Sequence, residues 1–495
     1  MQNSPIDSKS DRDEESTVSK MNFLFFMPET LRADSVGCLG NDIVKTPNMD
    51  RIAREGVCFT NCFVQHTVCS PSRCSMFTGL YPHTNGHRTL TYLLQPHERN
   101  LFRDLKENGY YTQCFGKNDL LSQEAISLSF NSVGKSELKR FTKQLEIARS
   151  LYKNPWPKEH KYHKSFYYGK IPQEAGKDFN WACIQSACNF IDNPPSEPFC
   201  LYLPLGLVHP PYRVEEPYFS MYDRKDVPPP VPANFSDKRS FMKLLHHAHG
   251  INRLDEDDKR EIRAVYYGMI TKLDALLGMI IDKLKETGRY ETTAIFIFSD
   301  HGDYTGDYGL VEKWWTGFQD CLLRVPFIAR VPGFPPVGKV ETMIEMIDLY
   351  PTILELAGIK PLHSYFGKSL VSLMKGKKDS LRDAVFAEGG HLETEEHCFE
   401  PVLDGIYHEK TTLPRKYGPK VFSKAVMIRT RKFKYIYCPD DINELYNLED
   451  DPCELHNLAG RPETKEIEQY LKERLLRWLV WTVDTVPHKW DKRGF

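Results

Sequence analysis

Residues 62–88 read CFVQHTVCSPSRCSMFTGLYPHTNGHR and set Cys69 two positions before Pro71 and four before Arg73. Proline suits the first turn of a helix. A helix starting here is predicted to hold residue 69 near its positive N-terminus, with Arg73 one turn further on. A thiol in that place could be an inert buried group, half of a disulfide, a metal ligand, or a nucleophile paired with a histidine and an acid. Cys62, Cys69 and Cys74 lack the CxxC-type spacing of a zinc site. Two other stretches carry charge directly after an apolar run. Pro28-Glu29-Thr30-Leu31-Arg32-Ala33-Asp34 follows NFLFFM (22–27), and Ser299-Asp300-His301-Gly302-Asp303 follows TAIFIF. A glutamate at one strand end and an Asp-His pair at another can converge on a divalent cation. Either stretch alone reads more simply as the capping and turn chemistry common after strands.

The order of elements says how such ends could meet. Strands are predicted at 22–27, 57–64, 110–115, 198–205, 293–302 and 325–333, and helices at 46–56, 100–109, 255–287 and 347–358. The segment TPNMDRIAREG (46–56) has proline at its first helical position and stops at glycine. The strands are short apolar runs, as buried parallel strands are. Their alternation with helices predicts an α/β fold, a mostly parallel sheet with helices on both faces. In such sheets ligands gather at the carboxyl ends of the strands, where Glu29, Asp300 and His301 fall.

A chain of 495 residues suits one large domain with a smaller companion. With 41% hydrophobic and 27% charged residues it has the composition of a soluble globular protein. The formal net charge of -2 supplies no global field for nucleic acid, and no nucleic-acid partner is expected. Residues 1–20 are polar and lack an apolar core, so they read as a disordered tail and not as a secretory signal. No uninterrupted apolar run approaches the roughly 18 residues of a membrane span. The 13 cysteines form no paired framework, and reduced thiols in a cytoplasmic protein are expected.

CSPSR followed by CSMFTG resembles the signature of the sulfatases, Cys-x-Pro-Ser-Arg and then an apolar pair before Thr-Gly. Further motifs stand in family order: ETLRADSVGCLGN (29–41), GYYTQCFGK (109–117), LVHPPY (207–212), SDHGDYTGDYGLVEK (299–313) and MIRTRKFKYIY…ELYNLEDDPCELHNLAG (427–460). On these the chain is identified as a member of the sulfatase family of the alkaline phosphatase superfamily, from residue 22 to about 461. The resemblance implies an alkaline-phosphatase-like α/β/α sandwich and a smaller C-terminal α+β subdomain with an antiparallel sheet. It divides the chain into a tail (1–20), a catalytic domain (21–375) and a C-terminal subdomain (376–495). It implies hydrolysis of a sulfate ester on a sulfated carbohydrate or a small organic sulfate.

The resemblance also implies that a maturation enzyme converts Cys69 to Cα-formylglycine. The hydrated aldehyde attacks sulfur with one hydroxyl and expels sulfate with the other. Glu29, Asp300, His301 and residue 69 are implied as ligands of a divalent metal, Ca²⁺ first, with Mn²⁺ and Zn²⁺ as alternatives. Arg73 reaches back to the nucleophile, Lys117 and Lys313 hold sulfate oxygens, and His209 is the general acid for the leaving alcohol. Taken singly, His209 is a turn residue before two prolines and each lysine a solvated charge.

Three departures bear on this. Thr30 stands where most relatives have a second acid, which places it outside the ligand set. Lys117-Asn118-Asp119 replaces the usual Lys-x-His, so the base that helps expel sulfate is missing, and His87 or His66 is left to replace it. Asp119 and the NGHR segment resemble the phosphonate monoester hydrolases, which share the fold but lack the lysine that Lys117 matches. Phosphonate monoester or phosphodiester hydrolysis is therefore the alternative activity, and a binding protein on a dead scaffold the non-enzymatic one. Residues 135–170 hold ten lysines and arginines against three glutamates, with seven aromatic residues between them. That composition suits either a lid over an anionic sugar or a solvated helical hairpin. Residues 389–405 form a second candidate pocket loop. The oligomeric state is left open.

Overall fold

The computed structural model describes residues 20–377 and 380–488, so the predicted polar tail lies outside the described residues apart from Lys20. In chain order the strands are β1 (Asn22–Pro28), β2 (Val57–Phe63), β3 (Tyr111–Cys114), β4 (Tyr167–Lys170), β5 (Phe199–Leu205), β6 (Tyr212–Val214) and β7 (Thr293–Phe298). They continue with β8 (Arg324–Arg330), β9 (Gly338–Val340), β10 (Ile344–Glu345), β11 (Ala384–Gly389), β12 (Ala425–Thr430), β13 (Phe433–Tyr437) and β14 (Glu444–Asn447). Among the described residues the main sheet has eight strands in the order β10-β2-β8-β7-β1-β5-β3, with β9 also beside β2. Its pairings are parallel except those of β8, which runs antiparallel to β2 and β7. The run predicted as a strand to residue 302 leaves the sheet at Phe298, which frees the next residues to turn into the site.

Alternation along β1 explains the layering. Phe23, Phe25 and Met27 point into one core with the helices Cys69–Thr78, Leu101–Glu107 and Leu349–Ala357. Leu24 and Phe26 point into the other with Pro47–Glu55, Phe179–Asp192 and Glu256–Glu286. A strand covered on both faces must be apolar where it is buried, and FLFFMP, which follows the half-buried Asn22, is. The long helix Glu256–Glu286 starts at a capping box built by Asp255 and Asp258. One stretch of it is apolar enough for a membrane span, but 89% of that stretch is buried within the protein, the place of a core helix.

The strands β11 to β14 form a second, antiparallel sheet. One face packs on the helix Lys465–Thr482 through Ile428, Tyr435, Leu445, Leu471 and Trp478. The other turns Val385, Met427 and Ile436 into the core of the main sheet. Between β11 and β12 the chain passes back to the carboxyl edge of the main sheet, and that excursion brings Glu400, Tyr407 and Lys410 to the site.

Candidate active site

Four neighbouring parallel strands, β7-β1-β5-β3, end on one edge, and each delivers functional side chains just beyond its last residue. Asp300 and His301 follow β7, Glu29 follows β1, His209 follows β5 and Lys117 follows β3. The backbone ties these ends together: Glu29 N donates to Leu205 O at 2.8 Å and Lys117 N to Pro204 O at 3.0 Å. Ser299 Oγ donates to Pro28 O at 2.8 Å and accepts from Leu31 N at 3.0 Å. A Cβ on Gly116 would stand 2.2 Å from Pro204 O, so only glycine lets the chain before Lys117 close on β5. Thr30, Val208 and Glu312 have positive φ, at 62°, 86° and 64°, and they adjoin Glu29, His209 and Lys313. Left-handed backbone in a β-branched residue is costly, and here it aims the neighbouring side chain.

The helix Cys69–Thr78 follows β2, and every residue in it is buried. Cys69 Sγ lies 2.6 Å from Glu29 Oε1 and 3.3 Å from His301 Nε2. Burial and the Glu29 carboxylate push this thiol up, so it is protonated and donates to Glu29. Glu29, Cys69, Asp300 and His301 each bring a ligand atom within 4.8 Å of the others. Their chemistry fits a divalent cation. His301 Nδ1 stands 2.9 Å from Gly302 O, an acceptor only, so Nδ1 carries the ring hydrogen and the Nε2 lone pair faces the cluster. Asp300 Oδ1 accepts from Thr30 N at 3.3 Å and His301 N at 3.0 Å, and Oδ2 accepts from Arg73 Nε at 2.9 Å. Burial opposes the charge of Asp300, but His301 and Arg73 hold it below the usual carboxylate range. Burial also opposes the charge of Glu29, and His209, Lys117 and Arg73 overcome it. Thr30 Oγ1 donates to Glu29 O at 2.7 Å and stays out of the cluster.

Two lysines face the same point. Lys117 Nζ lies 3.1 Å from Glu29 Oε1 and 2.8 Å from Asp119 Oδ2. Lys313 Nζ lies 2.7 Å from His209 Nε2 and 2.8 Å from Glu312 Oε1. His209 Nδ1 is 2.7 Å from Pro210 O, so its ring hydrogen is there and Nε2 accepts from the Lys313 ammonium. Burial and the charge of Lys313 bring His209 down to about 4. The arrangement can bind a tetrahedral oxyanion between two ammonium groups and share a proton between Lys313 and His209 at its edge.

The sequence candidates therefore divide. Cys69, Glu29, Asp300, His301, Arg73, Lys117, His209 and Lys313 meet at one place. Asp119 joins them by bridging Lys117 and Arg73, the latter at 3.8 Å. His87 has both ring nitrogens committed elsewhere, Nε2 to Glu98 at 2.8 Å and Nδ1 to Tyr92 O at 3.1 Å. His66 is fully buried, and its Nδ1 accepts from Val68 N at 3.2 Å. The pairing of Glu312 with Lys410 was not legible in the sequence. They form a buried ion pair that fixes Lys313 from below, and no motif links positions 98 residues apart. Residues 135–170 form short helices and the strand β4, and Tyr162 and Tyr167 bond Asp258 and Glu261 of the long helix. Tyr152 turns the other way and lies within electrostatic reach of Glu29 and Lys117.

The family model described as Sulfatase matches residues 21–359, and one described as N-sulphoglucosamine sulphohydrolase, C-terminal, matches residues 306–413. An arylsulfatase of Clostridium perfringens is 27% identical, over 93% of this chain and 94% of its own length. The multifunctional alkaline phosphatase superfamily protein PehA of Trinickia caryophylli is 28% identical, over 94% of each chain. The phosphonate monoester hydrolase of Agrobacterium radiobacter shares the fold, with a TM-score of 0.78 at 23% identity over 94% of this chain and 96% of its own. The chain belongs to the sulfatase family, sulfuric ester hydrolases of the alkaline phosphatase superfamily.

Proposed function

We propose that the chain hydrolyses a sulfate ester, on a sulfated carbohydrate or a small organic sulfate, with a Cα-formylglycine made from Cys69 by a maturation enzyme. The observation that carries this reading is the position of Cys69 Sγ, against Glu29 and His301 and beside the two lysines. The aldehyde made there would supply, once hydrated, a nucleophile that also regenerates itself. Glu29, Asp300, His301 and residue 69 would hold a divalent cation, which supplies Lewis acidity at the nucleophile and the sulfate. Two carboxylates favour Ca²⁺, while one imidazole also suits Mn²⁺ or Zn²⁺.

The chain's own residues do the rest. Lys117 and Lys313 each offer an ammonium to a sulfate oxygen. Arg73 keeps Asp300 ionised and oriented, and Ser72 Oγ donates to Asp300 O at 2.5 Å. Glu312 and Lys410 hold Lys313 in the site. The hydrogen shared by Lys313 Nζ and His209 Nε2 is the proton source for the leaving oxygen. Burial of every ligand excludes water and strengthens these contacts.

A second reading, hydrolysis of a phosphonate monoester or phosphodiester, is favoured by Asp119, which draws Lys117 toward itself. The two separate on oxygens. A sulfate monoester presents three unsubstituted oxygens and a diester two, so a diester leaves one ammonium of the site poorly paired. The test is kcat/KM on 4-nitrophenyl sulfate against the matching phosphodiester and phenyl phosphonate monoester. The expected result is a preference for sulfate by roughly tenfold to a hundredfold. A preference for the diester by about tenfold or more establishes the second reading.

A further inference from the structure

Arg213 lies on β6, four residues after His209, and among the described residues its side chain makes no hydrogen bond and no ion pair. Four residues of extended chain keep the Cα of Arg213 within about 14 Å of that of His209, and the Tyr152 ring on which its guanidinium stacks is what links it to the site. Its strand is anchored to the site itself. Tyr212 OH donates to Asp303 Oδ1 at 2.6 Å and accepts from Glu312 N at 3.0 Å. The Arg213 guanidinium rests 3.2 Å from the centre of the Tyr152 ring, and its Nη1 is buried without a partner. Tyr152 in turn stands within electrostatic reach of Glu29, Lys117 and Tyr407. The pair therefore borders the ring of charges that faces Cys69.

The acids that could neutralise Arg213 are already committed. Asp178 caps the helix Phe179–Asp192, accepting from Asn180 N at 2.9 Å and Trp181 N at 3.2 Å. Glu215 pairs with Lys272 at 2.8 Å. Burial consequently holds Arg213 below the ordinary arginine value, in contrast to Arg73, whose acids raise it. An arginine that is desolvated, stacked and left unpaired is an anion site awaiting its partner, because the fork of donors matches an oxyanion bidentately. The Tyr152 ring fixes the plane of the fork and covers one face of it.

We infer that Arg213, oriented by Tyr152, binds a second anionic group of the substrate, so that this enzyme prefers sulfate esters that also carry a carboxylate or a second sulfate. The inference rests on the sulfatase reading above and names the substrate class for that site. The scissile sulfate occupies Lys117 and Lys313, and the second oxyanion pairs with Arg213.

The test uses the matured full-length enzyme, a panel of monosulfated hexoses with the corresponding sulfated hexuronates and disulfated hexoses, and 4-nitrophenyl sulfate as the substrate without a second anion. The wild type is expected to show at least about tenfold higher kcat/KM on one dianionic class, chiefly through KM. The carboxylate and disulfate arms tell which anion is read. Arg213→Gln should lower that preference at least about tenfold relative to any change on 4-nitrophenyl sulfate, and Arg213→Lys should restore part of it. Thermal unfolding of each variant checks that the fold persists. Equal turnover of monosulfated hexoses and dianionic sugars by the wild type overturns the inference and leaves the sulfatase reading standing. An equal loss by Arg213→Gln on every substrate also overturns it, since a structural role moves all of them alike. Absence of turnover on every sulfate, 4-nitrophenyl sulfate included, overturns the sulfatase reading and the inference with it.

Discussion

Two regions of this molecule bury several charges each, and they bury them differently. Where the C-terminal sheet meets the main domain, buried charges pair mainly with opposite ones, while Lys238 bonds the Tyr446 hydroxyl and the Glu454 carbonyl. Lys434 Nζ, fully buried, bonds Asp320 Oδ1 at 2.6 Å, Glu454 Oε1 at 2.7 Å and Phe318 O at 2.9 Å. Arg429 adds a contact to Asp320 at 3.0 Å, and Arg239 meets Glu444 at 3.2 Å. Around Cys69 ion pairs form as well, Arg73 with Asp300 at 2.9 Å and Lys117 with Glu29 at 3.1 Å, but the same groups also share a common focus. Glu29, Asp300 and His301 turn acceptors toward one point, and Lys117 and Lys313 turn donors toward its edge. A structural network satisfies its own members, whereas a catalytic one leaves complementary groups aimed at a common place. The backbone at the site reflects this, with Thr30, Val208 and Glu312 held at positive φ, while Glu454 alone is so held in the seam network.

The contrast predicts that the two regions break in opposite ways. The largest effect belongs to residue 69. Cys69→Ser should bind an aryl sulfate and lose sustained turnover by about a thousandfold or more, since one hydroxyl cannot both attack and be regenerated. Its unfolding transition should move little, because serine fills nearly the same volume. Single-turnover mass spectrometry beside steady-state rates checks this, and multiple turnover at a near wild-type rate breaks the contrast. Lys434→Met should do the reverse. It strands the buried Glu454 carboxylate, leaves Asp320 to Arg429 alone, and should cost about 3–5 kcal/mol in denaturant unfolding, with kcat per folded molecule unchanged. A stable variant, or a folded variant with lost activity, would erase the distinction between the regions.

Lys117→Ala sharpens it further. The loss should be greater on 4-nitrophenyl sulfate than on a matching phosphodiester, by roughly tenfold to a hundredfold, because only the sulfate has an oxygen for each ammonium. Equal losses on both substrates would show that Lys117 serves Asp119 more than the substrate. The smallest effect is on the acid side of stability. Burial opposes ionisation of Asp320, and Arg429 and Lys434 overcome it, so its folded value lies below the unfolded one. Its contribution is then complete above about pH 4 and is lost as pH falls through the folded value. Unfolding free energies measured from pH 6 to pH 3 should fall less steeply in Lys434→Met than in the wild type.

Much of this was legible in the sequence, for physical reasons that stop at identifiable residues. Doubly buried strands need continuous apolar runs, so β1, β5 and β7 announced themselves, and polar residues just past their ends marked the edge that binds ligands. Glu29, Asp300 and His301 were readable for that reason, and Cys69 through its motif. Direction was less legible, since an apolar run does not say whether a strand is parallel, and β8 runs against its neighbours. Pairs formed across long stretches of chain left no trace. Glu312 stands in a motif but nothing in the sequence pairs it with Lys410, and Arg213 looks in sequence like one more surface cation. His87 shows the limit from the other side, because spacing could not say whether it replaces the missing histidine, and in the fold Glu98 and Tyr92 O take both of its nitrogens.

The central claim is that the groups converging on residue 69 serve a modified cysteine. The measurement that tests it most directly is the mass of the tryptic peptide spanning residues 55–73, taken from enzyme whose turnover on an aryl sulfate has been recorded on the same sample. The account predicts that active enzyme carries this peptide with the Cys69 sulfur and two hydrogens lost and one oxygen gained, and that activity scales with the fraction so converted. Full activity with an unmodified thiol at Cys69 would contradict it.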